Sequence, residues 1–171
     1  MKRLTLMRHG DAQWKDPEVA DFARPLNRRG NSEAEAMGRR LAELNLVPDL
    51  IISSPARRAQ QTADLVAREM GLRTPRSIRY EESLYLAGVH EILKLARAMG
   101  PRVPHLLIIG HNPGISELVH LLAPSPDMGG LATAAFCSIT FDTHQWTAVG
   151  PASKRDVVNE TPPARLFSLF A

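Results

Sequence analysis

Three short apolar runs constrain this chain most: Leu4–Met7 at the start, Leu50–Ile52, and Leu106–Ile109. Each has strand length, runs into a polar cluster, and is followed by apolar residues at helical spacing. Strands alternating with helices argue for α/β layers rather than segregated elements. The Leu106–Ile109 run has no polar position, as expected for a strand buried on both faces of a parallel sheet. A length of 171 residues suits one domain over 1–171, and no repeat or long linker divides it.

The expected elements follow in order. A strand at 2–8 leads into a polar, proline-punctuated loop at 11–29. A helix to about 45 carries Ala34, Met37, Leu41 and Leu44 inward behind a Gly30-Asn31-Ser32 start. Strand 49–53 precedes helix 55–70, with Pro55 suited to a first turn and Gly71 to a C-cap. A short strand at 75–80, helix 88–99, strand 105–109 and helix 113–123 come next. Pieces at 134–141 and 145–149 read as a hairpin turning at Asp142-Thr143-His144, and 166–170 as an edge strand.

Composition narrows the function classes. Hydrophobic residues make up 44% and aromatic residues 5%, so the core is mainly aliphatic. Net charge is +3, but Glu33, Glu35 and Glu43 interleave with the arginine pairs and aromatics for stacking bases are scarce, which argues against a nucleic-acid partner. The apolar stretch behind Lys2-Arg3 is too short for a signal peptide, and no other segment is expected to span a membrane. Cys137 is the only cysteine and cannot form an internal disulfide; a buried thiol in a reducing, cytoplasmic compartment is expected.

The strand ends carry the chemistry. The first strand runs out at Arg8-His9-Gly10. The second opens into Ser53-Ser54-Pro55-Ala56-Arg57-Arg58-Ala59-Gln60-Gln61-Thr62-Ala63, and the fourth into Gly110-His111-Asn112-Pro113-Gly114. A guanidinium fork matches phosphate oxygens, imidazole is a nucleophile that needs no metal, and ligands of open α/β sheets bind at strand carboxyl ends. With these three segments, the chain resembles the histidine phosphatase superfamily. Arg24-Pro25-Leu26 followed by Arg28-Arg29-Gly30 makes it most similar to the small SixA-like phosphohistidine phosphatases. The resemblance covers residues 1 to about 123.

The resemblance implies a phosphoglycerate mutase-like, three-layer sandwich: a mostly parallel central sheet with helices on both faces. It also implies a phosphatase without cofactor or metal, acting through phosphohistidine on His9. Arg8, Arg58 and His111 complete the implied catalytic set; the motif's register selects Arg58 and leaves Arg57 as a solvated charge. Arg24 matches the Arg-Pro-Leu element and is expected to bind substrate, with Gly10 and Asn112 beside it. For Asn112 and Asp11 a loop-ordering role weighs equally. Like charge from Arg8 and Arg58 should keep His9 neutral, a backbone carbonyl such as that of Gly10 should fix its tautomer, and a bound phosphate should protonate His111. His90, His105, His120 and His144 read as surface or strand-end residues.

The chain departs from larger members of the superfamily where a carboxylic acid should protonate the leaving oxygen: Leu86 and Ala87 stand there, with only Glu81 and Glu82 nearby. Alkoxide leaving groups need that proton, whereas the P–N bond of phosphohistidine is labile. Segments 11–29 and 71–88 lack the apolar content of a helical cap, so an open site is expected. The favoured substrate is therefore protein phosphohistidine. A phosphomonoesterase for small phosphate-bearing metabolites and a catalytically silent phosphopeptide-binding module are the alternatives, and the oligomeric state is left open.

Overall fold

The computed structural model describes residues 1–14, 16–73 and 76–164. Six strands form one sheet: β1 (Lys2–Arg8), β2 (Leu50–Ser53), β3 (Ile78–Tyr80), β4 (His105–Gly110), β5 (Phe136–Phe141) and β6 (Lys154–Glu160). Their order across the sheet is β3-β2-β4-β1-β5-β6. β1, β2, β3 and β4 run parallel, β5 lies antiparallel to β1, and β6 antiparallel to β5. Four helices cover the faces: α1 (Arg28–Glu43), α2 (Arg57–Glu69), α3 (Val89–Arg97) and α4 (Gly114–Leu122).

Alternation of side chains along the strands builds two cores. Leu106 and Ile108 of β4 join Leu4, Leu6 and Ile52 in the core beneath α3 and α4. Leu107 and Ile109 join Met7, Ile51 and the inner faces of α1 and α2. Because both faces of β4 are buried, every one of its six residues is buried, as its unbroken apolar run requires. The architecture is the expected three-layer, mostly parallel α/β sandwich.

Element ends follow local chemistry. Helix α1 starts two residues before Gly30 because the side chain of Asn27 accepts the Gly30 N–H at 2.8 Å. Helix α2 ends before Gly71, which takes the left-handed φ of 71°. Gly30 also lets the start of α1 lie on the backbone of Asp11, where any Cβ would collide with the Asp11 carbonyl. That contact braces the segment following β1.

The carboxyl-terminal third departs from expectation. Residues 145–149 do not form the second arm of a hairpin. They enclose a 3-10 turn, Trp146–Ala148, whose Trp146 is buried and donates Nε1–H to the Val103 carbonyl at 2.8 Å. The partner of β5 is β6, with Ser138 opposite Val158 and Phe136 opposite Glu160. Its sequence, KRDVVNE, reads as polar because it is a mostly exposed edge strand. The edge strand expected at 166–170 lies outside the described residues. No helix among the described residues is long and apolar enough to cross a membrane.

Candidate active site

The carboxyl ends of β1, β2 and β4 meet at a cavity of about 370 Å³. Arg8 and His9 reach it from the end of β1, Arg58 from the first turn of α2, and His111 from the junction between β4 and α4. The structure thus brings together all four residues of the expected catalytic set. The His9 and His111 rings lie 5.1 Å apart between centroids.

Two hydrogen bonds decide the state of His9, which is only 8% exposed. A carbonyl can only accept, so the 2.7 Å contact to the Gly10 oxygen puts a proton on Nδ1. An arginine Nε–H can only donate, so the 3.3 Å contact from Arg58 leaves a lone pair on Nε2. Burial above all, then the neighbouring His111, Arg58 and Arg8, pushes the imidazole down to about 3. The ring is neutral at physiological pH with its unprotonated nitrogen toward a guanidinium.

His111 is poised in the opposite sense. Its Nε2 meets the Ser54 hydroxyl at 2.7 Å and its Nδ1 meets NH2 of Arg58 at 3.4 Å. Burial and then Arg58 hold it down at about 4, so it is neutral before an anion arrives. A bound phosphoryl group adjacent to Nδ1 would favour the imidazolium and turn that nitrogen into a donor. Ser54, tied to His111, is part of this support.

The remaining expected residues separate. Arg24 lines the cavity, with NH1 on the Gln13 carbonyl at 2.8 Å and NH2 on Asp21 at 3.1 Å. Asn112 also lines it, but its amide donates to the Leu131 carbonyl and accepts from Ser116, which gives it a loop-ordering task. Gly10 does not line the cavity. Its N–H goes to Thr62 at 3.0 Å, its carbonyl to His9, and a Cβ would sit 2.7 Å from the Gly30 carbonyl, so its small size serves packing against α1 rather than close approach to substrate. Arg57 is exposed, while Arg58 is 2% exposed. Leu86 lines the cavity, whereas Glu81 and Glu82 do not.

Three residues escaped the sequence reading. Asp21, from the 11–29 loop, receives Arg58 at its carbonyl (2.7 Å) and at its carboxylate (3.0 Å). Tyr85 donates its hydroxyl to the same carboxylate oxygen at 2.7 Å. Glu33, fully buried on α1, accepts the Asp11 N–H, Arg29 Nε and the Thr133 hydroxyl, and so holds the segment after β1. Only the three-residue step from Asp21 to Arg24 was visible in sequence, and in a loop such spacing carries no meaning.

Among the described residues only two buried side-chain nitrogen or oxygen atoms lack a hydrogen-bond partner, Nε of Arg8 and Nε of Arg24. Both belong to guanidiniums lining the cavity. Unsatisfied buried donors are uncommon, and each of these is the solvent-shielded inner nitrogen of its guanidinium. An α/β protein with three guanidiniums and a neutral, lone-pair-bearing imidazole at the carboxyl edge of its sheet belongs to the class that handles phosphoryl groups. Residues 4–85 match the histidine phosphatase superfamily (branch 1). A protein of Mycobacterium tuberculosis is 35% identical over 117 residues, 68% of this chain and 70% of its own length. SixA from Agrobacterium tumefaciens superimposes with a TM-score of 0.76 at 28% identity, covering 92% of this chain and 97% of that one. The protein histidine phosphatase SixA complexed with tungstate does so with 0.74 at 26%, covering 96% and 99%. The chain belongs to the histidine phosphatase superfamily and is SixA-like within it. It spans 59% of the length of a chloroplastic relative from Arabidopsis thaliana.

Proposed function

We propose that this chain is a cofactor-independent phosphatase that draws a phosphoryl group onto Nε2 of His9 and passes it to water. The observation that carries this reading is the fixed tautomer of His9: proton on Nδ1 at the Gly10 carbonyl, lone pair on Nε2 beside Arg58. A metaphosphate-like transition state needs an aligned nucleophile and positive charge around its equatorial oxygens. Arg8, Arg24 and Arg58 supply that charge, and His111 adds a donor once the phosphoryl group is bound.

Attack by Nε2 forms the N–P bond as the bond to the leaving atom breaks, and the electron pair departs with the leaving atom. Phospho-His9 keeps its proton on Nδ1. Water then attacks phosphorus from the vacated side, and His9 leaves as the neutral ring with which it began. Both water protons remain on the product, which leaves as dihydrogen phosphate.

Protein phosphohistidine is the favoured substrate in this reading. The apolar side chain of Leu86 lines the cavity where an acid would have to stand to protonate an alkoxide, and a related SixA structure is described as that of a protein histidine phosphatase. Among the described residues no helix beyond α1 to α4 and the short 3-10 turns is present to cap the cavity, which favours access for a phosphorylated side chain on another protein. A cytoplasmic setting fits the single, buried Cys137. The test is a panel with chelator present: phosphohistidine protein, phosphoserine peptide and small sugar phosphates. The highest kcat/KM is expected for phosphohistidine protein. A higher value for a sugar phosphate would replace the substrate assignment with that of a metabolite phosphomonoesterase, and binding without any turnover would leave a phosphopeptide-binding module.

A further inference from the structure

Asp21 lines the cavity, and its carboxylate is held there by Arg58 of the catalytic set. Oδ2 takes the Tyr85 hydroxyl and NH2 of Arg58, while Oδ1 takes only NH2 of Arg24. A carboxylate oxygen can accept more than one hydrogen bond, so Oδ1 retains capacity for a further donor. The Tyr85 hydroxyl first, with Arg24 and Arg58, holds the group well below the usual carboxylate range. It is ionised, so it has no proton to give an alkoxide, but it can hold one that another group bears.

Arg58 links this carboxylate to the nucleophile, touching Nε2 of His9 through Nε and Oδ2 of Asp21 through NH2. In-line transfer from a phosphohistidine sets two imidazoles on opposite sides of one phosphorus atom. On the protein's side, the Gly10 carbonyl keeps the proton on the far nitrogen of His9. The substrate ring has the same need. When its N–P bond breaks, the electron pair stays on that nitrogen, and only a ring protonated at its far nitrogen departs as neutral imidazole.

Building on the phosphohistidine reading of the site, we infer that Asp21 accepts the far N–H of the substrate imidazolium and so selects phosphohistidine over phosphate monoesters. The carboxylate keeps the leaving ring protonated until the bond breaks. After the ring has gone, the same oxygen faces the water that attacks phospho-His9 from that side. An alkoxide gains nothing from this arrangement, because its own oxygen must receive a proton that Asp21 lacks.

The charged and titratable groups around Asp21 are Arg8 at the end of β1 and His9 just after it, Asp11 and Arg24 in the crossing loop, Arg58 on α2, Tyr85, and His111 before α4. Asp11 is the other carboxylate on the cavity wall, and it already accepts from Asn27 at 2.7 Å. The test compares Asp21→Asn with the parent protein on phosphohistidine protein and on p-nitrophenyl phosphate, whose aryloxide leaves without a proton. For Asp21→Asn, kcat/KM on phosphohistidine should fall on the order of 10²-fold, the range of a lost proton-handling group. Its alkaline limb should move down by about one pH unit, since the substrate imidazolium loses its opposite charge. Hydrolysis of p-nitrophenyl phosphate should fall only by what Arg58 and Arg24 lose with their ion-pair partner, so the loss on phosphohistidine should exceed it at least about tenfold, and an unchanged circular dichroism spectrum shows that the variant is folded. Equal losses on both substrates, or no loss on phosphohistidine, would overturn the inference. So would a selective loss in Asp11→Asn but not in Asp21→Asn. Failure of the parent protein on phosphohistidine, with p-nitrophenyl phosphate still hydrolysed, would remove the functional reading and this inference together; an active parent with an indifferent Asp21→Asn removes the inference alone.

Discussion

Strand β4 begins with one buried histidine, His105, and delivers another, His111, just past its end. Burial holds both at about 4, and at both an arginine adds to the effect, Arg3 for one and Arg58 for the other. Their surroundings differ. His105 meets the Thr5 hydroxyl at 2.8 Å, which donates its own O–H to Ser138 at 2.9 Å, closing a polar chain between three strands. His111 meets Ser54 on one side and Arg58 on the other, and opens on a cavity shared with His9, Arg8 and Arg24. A depressed imidazole therefore marks burial, not function. What separates the two ends of the strand is the convergence of the Arg8, Arg24 and Arg58 guanidiniums on one cavity.

The comparison breaks first at His9. His9→Ala should reduce turnover to background while phosphate still raises the melting temperature, because the guanidiniums remain; retained turnover would move the nucleophile elsewhere. Arg58→Ala should cost about 10²-fold to 10³-fold in kcat, as for loss of other donors that meet transition-state charge. A loss below tenfold in steady-state kinetics would show that Arg58 serves the fold more than the phosphoryl group. His105→Asn should leave kcat/KM unchanged and lower stability by about 1–3 kcal/mol, the cost of leaving buried hydroxyls unpaired. Denaturant titration and kinetics on the same preparation measure both, and a loss of activity without a loss of stability would erase the contrast.

Acid should expose the same three imidazoles. His9, His105 and His111 lie at about 3, 4 and 4 when folded against an ordinary 6.5. Below about 6.5 the unfolded chain binds protons that the folded chain refuses, so stability is full above that pH and falls as pH drops toward 4. In His105→Asn the fall should be shallower by one proton, and an unchanged slope between pH 6.5 and 5 would contradict the burial account. The smallest effect is expected for Arg57→Ala, which leaves the cavity intact and should leave steady-state kinetics unaltered.

Much of this contrast is legible in the sequence. Strands β1, β2 and β4 are buried, so hydrophobicity exposes them, and the polar clusters at their ends place Arg8, His9, Arg58 and His111. The rest depends on long-range contacts or on residues whose default reading is bland. Glu33 looks like a solvated helix charge, and only the fold buries it against the Asp11 segment. Asp21 lies 37 residues from Arg58 and 64 from Tyr85, so no local pattern could join them. Strand β6 hides behind the charges of an edge, while the apolar Trp146 region imitated a strand because it plugs the base of the sheet.

The central claim is that phosphorus passes through Nε2 of His9. The most direct measurement is an alkaline quench of the protein during turnover of a ³²P-labelled substrate, followed by peptide mapping. The account predicts alkali-stable, acid-labile label on the peptide carrying His9, absent in His9→Ala. Turnover with no label on that peptide, or with alkali-labile label on Ser54, would contradict it.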